Sequence, residues 1–209
     1  YLDWTGPVRN ISVVEERYES LHNSGMFFHP RYLEKLRPFK TIRFVCWMNV
    51  NDGNIQSSWT TRPLVSDAFL GTSKGVPLET MIDLCNLMGI NPWFTLPHLC
   101  NYSYITQFSK MVRNRLRPDL MAYFELSNEV WNNAPAYQAQ MRYTQTLGNS
   151  LWPDGPLPIW EKGWQFYGLK TATMSDTIKK MWGTEKKRVK VVLSGQSVNA
   201  YITRQMLET

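Results

Sequence analysis

The chain has 209 residues, enough for one sizeable core but short of the roughly 250 of a complete eight-stranded α/β barrel. Its net charge of +6 comes without a nucleic-acid recognition motif, which argues against a nucleic-acid partner. No apolar run approaches the roughly 18 residues of a membrane span, so no membrane-spanning segment is expected.

The first 38 residues read as an irregular N-terminal segment with one strand-like run, Ile11-Ser-Val-Val14, and a short helical pattern from Pro30 to Arg37 that Pro38 stops. Thr41 to Met48 is apolar on both faces apart from Arg43, which predicts a buried strand with Cys46 as a small core residue. A polar loop follows, from Asn49 to about Lys74. Val76 to Met88 has apolar positions at helical spacing, with Pro77 suited to the first turn and Gly89 to the stop. Strand patterns at Asn91–Pro97, Met121–Ser127 and Arg188–Ser194 alternate with helical ones at Tyr104–Leu116, Ala136–Leu147 and Trp160–Met181. The segment Trp152–Pro158 is a loop. The densest basic run, Lys179-Lys180 and Glu185-Lys-Lys-Arg188, reads as a solvated helix end opposing the helix dipole.

Strands and helices that alternate with short turns imply parallel strands and right-handed crossovers. The fold class is therefore α/β, as an open doubly wound sheet or a barrel. No Gly-rich phosphate loop follows any strand, which argues against a nucleotide-binding open sheet. In parallel α/β folds, function gathers at the C-terminal strand ends. These read Trp47-Met-Asn49, Pro97-His98, Ser127-Asn128-Glu129 and Ser194-Gly-Gln196. The third supplies a carboxylate next to an amide.

The stretch Phe124-Glu-Leu-Ser-Asn-Glu-Val-Trp-Asn132 resembles the fourth-strand signature of the large clan of retaining glycoside hydrolases of cellulase, xylanase and β-glycosidase type. The resemblance spans roughly Phe39 to Asn199, with Arg43 in a second-strand position and His98 in a third-strand position. It implies a parallel (β/α) barrel of TIM type, incomplete in this chain and forming a single domain over residues 1–209. It also implies that Glu129 is the acid/base and that Asn128 binds the sugar 2-hydroxyl. The clan's nucleophile, a Glu ending strand seven, has no counterpart here; Glu208 lies in a terminal helical pattern. Related barrels with the pattern Arg-Phe-x-Asp-Trp carry an Asp where this chain has Cys46, a departure that favours an inactive barrel.

The chemistry of glycoside hydrolysis fits the assignment. Retention needs a protonated leaving-group acid and a second carboxylate about 5–5.5 Å away. An amide on the 2-hydroxyl strengthens its grip in the transition state. The plainer alternative for Glu129 is a rim carboxylate at the start of the next helix, favoured there by the dipole. Strand alternation puts Glu125, Ser127 and Glu129 on one face, with Glu125 one layer deeper. A buried carboxylate needs a partner, and Arg43, two strands away, is the expected one, in a structural role that holds the rim in place.

Aromatic residues make up 13% of the chain, with nine Trp and ten Tyr, and flat sugar faces stack on such rings. Trp131, just beyond Glu129, is the leading candidate for a sugar subsite, with Trp47 and Trp93 behind it. Gln196 and Asn199 follow the last strand and are further candidates, as is His98, whose plain alternative is a hydrogen-bonded core histidine. The sequons Asn10-Ile-Ser12 and Asn101-Tyr-Ser103, with no initiator Met, point to a secreted, extracellular glycoprotein whose longer product was either processed or is represented here with segments missing. Cys85 and Cys100 are open to either a disulfide or two buried thiols, and no CxxC spacing suggests a metal. No cofactor is called for. Two functions stand: a retaining glycosidase acting on carbohydrate, or a non-catalytic carbohydrate-binding or structural module that assembles with other copies or chains outside the cell.

Overall fold

The computed structural model describes residues 5–7, 12–51 and 55–208, which divide into two compact units, Tyr1–Pro38 and Phe39–Thr209. Asn10 and Ile11 lie outside the described residues. The first unit is more helical than expected. A 3-10 turn at Glu16–Tyr18 runs into α1 (Glu19–Asn23), and α2 spans Pro30–Leu36. His29 caps α2 by accepting the Arg31 amide, and Pro30 occupies the first turn, where its missing N–H costs nothing. Ser12–Val14 form no strand, and no neighbouring strand offers their backbone a partner among the described residues.

The second unit is mixed α/β. Among the described residues its four strands are β1 (Thr41–Arg43), β2 (Asn91–Leu96), β3 (Ala122–Leu126) and β4 (Val189–Val192), all parallel and in the order β1-β2-β3-β4. Between and after them run α3 (Leu78–Met88), α4 (Tyr102–Arg115), α5 (Gln138–Leu151), α6 (Ile159–Trp182) and α7 (Ala200–Leu207). Gly89 ends α3 at φ 67°, a left-handed stop that costs glycine least. Asn101 caps α4 through its side-chain oxygen, 2.8 Å from the Tyr104 amide.

Register places side chains in rows. Phe94 pairs with Phe124, and with Phe44 and Phe108 they form the aromatic centre of the core, with Phe94–Phe108 centroids 5.2 Å apart. On the other face, Trp93 pairs with Tyr123 and Thr95 with Glu125. Arg43 pairs with Trp93 and so stands one step below Glu125 on that same face.

The expected strand from Thr41 to Met48 stops at Arg43. Phe44 still donates to Trp93 O, but Met48 N then turns back to Phe44 O at 2.8 Å. An apolar run is compatible with a strand or with helical turns, and here the chain leaves the sheet edge. Cys46 consequently lies exposed in that turn, not in the core. Cys85 and Cys100 are buried free thiols. Burial pushes them up to about 12 and about 11. No helix among the described residues is long and apolar enough to cross a membrane.

Candidate functional site at the C-terminal strand ends

Beyond Leu126 strand alternation fails. Ser127 and Glu129 adopt φ of 57° and 45°, left-handed values unusual for side-chain-bearing residues. The expected common face of Glu125, Ser127 and Glu129 is therefore broken, because the chain leaves the pleat at Ser127. Each such residue costs on the order of 1–3 kcal/mol and persists only where its surroundings enforce it. Here the Ser127 amide is held by Leu96 O at 2.7 Å, and the Asn128 carbonyl accepts Gln140 Nε2 of α5 at 3.1 Å. The outcome is a tight turn that carries Asn128 and Glu129.

Glu125 anchors this turn from below at 1% exposure. Arg43 Nε and Nη2 each donate to one of its oxygens at 2.8 Å, and Trp93 Nε1 donates at 2.8 Å. The Ser194 hydroxyl, just past β4, donates to it as well. One carboxylate thus gathers side chains from β1, β2 and the end of β4. The Arg43–Glu125 ion pair expected from strand parity forms, although Arg43, on an outer strand, keeps 34% of its side chain exposed. Arg43 Nη2 also donates to Asn128 Oδ1 at 2.8 Å, and Asn128 Nδ2 donates to Asn51 Oδ1 at 3.1 Å.

Glu129 faces a cavity of about 410 Å³ lined with Trp131, Asn132, Asn133, Gly195, Gln196 and Ser197. Asn132 Nδ2 donates to Glu129 Oε2 at 2.7 Å, and the Ala134 amide holds Asn132 Oδ1 at 2.9 Å. Of the sequence candidates, Glu129, Trp131 and Gln196 meet in this cavity. Asn128 is next to it, 8% exposed, and is not part of its lining. Trp47 stands apart, its ring 5.4 Å from Phe44. Trp93 serves Glu125, and Asn199 caps α7.

A search against known proteins returned no match to any family model, curated protein or solved structure.

His98 is buried at 4% exposure, its ring edge-on to Tyr143 of α5. Lys170 Nζ of α6 donates to His98 O at 2.6 Å and to Tyr143 Oη at 2.7 Å. Burial, and then the Lys170 charge, lower the imidazole to about 4, and its Nδ1 has no hydrogen-bond partner. His98 therefore sits neutral at the junction of sheet and helices and does not line the Glu129 cavity. Burial and then Glu125 hold the Tyr167 phenol above its ordinary range.

Asn51, Gln140 and Asn132 complete the site without having been singled out in the sequence. Asn132 had a signal, since its amide bonds Glu129 O three residues back, the spacing of a turn. Gln140 and Asn51 had none, because their contacts span 12 and 77 residues. Asn101, the sequon asparagine of α4, is exposed. Among the described residues, no group of three or more His, Cys, Asp or Glu side chains is placed to hold a metal ion.

Chemically, the site offers one carboxyl group in a polar cavity beside an indole, three amides, Gly195 and Ser197. Such a set can transfer a proton to or from a bound oxygen and donate several hydrogen bonds around it.

Proposed function

We propose that Phe39–Thr209 form the acid/base part of a retaining glycoside hydrolase-like (β/α) barrel in a secreted glycoprotein, with carbohydrate as substrate. Glu129 protonates the leaving oxygen, Asn128 meets the sugar 2-hydroxyl, and Trp131 offers an apolar face to a ring. The carrying observation is the left-handed turn at Ser127 and Glu129, which puts a carboxylate into a polar cavity beside a fixed amide. Backbone strain of this kind gathers at functional sites. The resemblance of Phe124–Asn132 to the strand-four signature gives the turn its chemical meaning.

A panel of fluorogenic aryl glycosides and mechanism-based glycosidase labels, applied to the full-length protein because retention needs a nucleophilic carboxylate besides Glu129, tests the proposal. Turnover of at least one glycoside is expected. Glu129→Gln lowers kcat about 10²–10⁴-fold for leaving groups that need a proton, and far less for strongly acidic phenols. A second reading, a carbohydrate-binding module without hydrolysis, is favoured by one observation. Among the described residues that line the cavity, Glu129 is the sole carboxylate. No turnover and no labelling, with retained sugar binding, would select it.

A further inference from the structure

The positive charge of the chain is not spread evenly. Residues 110–119 and 176–190 hold ten of its 23 basic residues and only three of its 17 acidic ones, so they carry its whole positive excess. The two stretches meet at the end of the sheet remote from Glu129, where α4 and α6 finish and β3 and β4 begin. Arg113 Nε donates to Glu185 Oε1 and its Nη1 to Met181 O, both at 3.0 Å. Arg188 donates to Glu185, lies over the Trp182 ring and reaches the Arg117 carbonyl at 2.7 Å.

Pairing at this pole is one-sided, because arginines take the carboxylates. Glu185 goes to Arg113 and Arg188, Asp119 to Arg117, and Asp83 of the neighbouring α3 to Arg115. Lys179, Lys180, Lys186 and Lys187 are exposed, and none of them makes an ion pair among the described residues. Asp176, about one turn back along α6, is the one other carboxylate in the two stretches. The dipole of α6 accounts for Lys179 and Lys180, which sit in its last turn. It does not account for Lys186 and Lys187, which the 3-10 turn Gly183–Arg188 packs against the end of that helix. Like charges gathered in this way repel one another, and a bound polyanion relieves the repulsion.

The surroundings narrow the choice of polyanion. The exposed large apolar side chains all lie outside the two stretches, and Trp182 is fully buried. Nucleobases therefore have no exposed ring to stack on here, and a bilayer receives no apolar side chain. What remains is recognition by charge alone, through flexible ammonium groups that follow anions repeated along a polymer.

We infer that this pole is a second binding surface, for an anionic polysaccharide, at the opposite end of the strands from the Glu129 cavity. The inference does not depend on the reading of Glu129.

Binding of the full-length protein to heparin, a sulfated polysaccharide, tests it. Binding is expected, and it weakens as salt rises. Lys179→Gln, Lys180→Gln, Lys186→Gln and Lys187→Gln together weaken it by at least about tenfold and flatten its salt dependence. Removing four exposed cations elsewhere, by Lys35→Gln, Lys74→Gln, Arg142→Gln and Arg204→Gln, changes it by less than about twofold. Thermal melts confirm that both variants fold. Acetylation of the wild-type protein with and without heparin, read by mass spectrometry, locates the surface with no variant at all: the four lysines are protected and Lys74 is not. No binding, equal losses in the two variants, or protection spread over all lysines would overturn the inference. Tighter binding at the same salt to single-stranded poly(dT), or to phosphatidylserine vesicles, would overturn it as well.

Discussion

Glu125 concentrates the energetic risk of the site in one side chain. It is 1% exposed and accepts from Arg43, Trp93 and Ser194. Removing one partner of a buried charge pair costs far more than the pair contributes, because the survivor stays desolvated. Arg43→Met should therefore destabilise the protein by about 3 kcal/mol, the low end for such losses, since Arg43 itself keeps 34% of its side chain exposed. Arg43→Met with Glu125→Met should recover most of that loss. Urea unfolding of the three proteins measures both, and a single variant as stable as wild type would show that the ion pair has no structural weight. This pair was legible only in part: strand alternation fixes which residues share a face, but Lys190 of β4 shares that face too, and alternation alone does not choose between the two cations. The turn at Ser127–Glu129 was not legible. Alternation holds only while the backbone stays in the pleat, and no glycine marks the two left-handed positions.

At the scale of elements, the long helices were readable from apolar spacing and their stops, as with α3 and Gly89 or α6 and its terminal Lys179-Lys180. The short strand β1 was misread as long, because apolar run length carries no information about where a sheet edge ends. The close crossing of α5 and α6 was also invisible, since single glycines inside helical patterns look merely unfavourable. In the structure they have a use. A Cβ on Gly148 would collide with the Lys162 carbonyl, and one on Gly163 would come within 2.9 Å of Gln145. Backbone cannot yield as a side chain tip can, so Gly148→Ala should cost about 1–3 kcal/mol despite alanine's higher helix propensity. Ser150→Ala, on the exposed side of the same helix, should be close to neutral. Thermal melts of the two variants separate packing from propensity, and a stabilised Gly148→Ala would refute the close crossing. Because Gln140 of α5 holds the Asn128 carbonyl, a shift of this helix should reach the site as well.

For the molecule as a whole, acidity should act first through His98. The ring stands just past β2, edge-on to Tyr143 of α5 and near the charge of Lys170 of α6, and makes no ion pair with a carboxylate among the described residues. Its folded value of about 4 is below the ordinary histidine value of 6.5, so between those values the unfolded chain binds the proton that the folded one refuses. Stability therefore rises with pH across that window and falls as pH drops from 6.5 towards 4, by up to about 3 kcal/mol in total. Asp119 and Glu185 act differently. Arg117 draws the first below its ordinary carboxyl range and Arg113, then Arg188, the second, so their stabilisation is present above the ordinary values of 3.8 and 4.5 and is lost only beneath them. Both are solvent-facing, which leaves the window above pH 4.5 to His98. His98→Gln, which keeps a polar side chain of similar size but cannot titrate, should flatten unfolding free energy between pH 6.5 and 4.5 while the decline at lower pH persists. Urea denaturation at half-unit steps resolves the two regimes. A wild-type profile that is already flat above pH 4.5 would mean that the His98 ring accepts its proton without leaving the core.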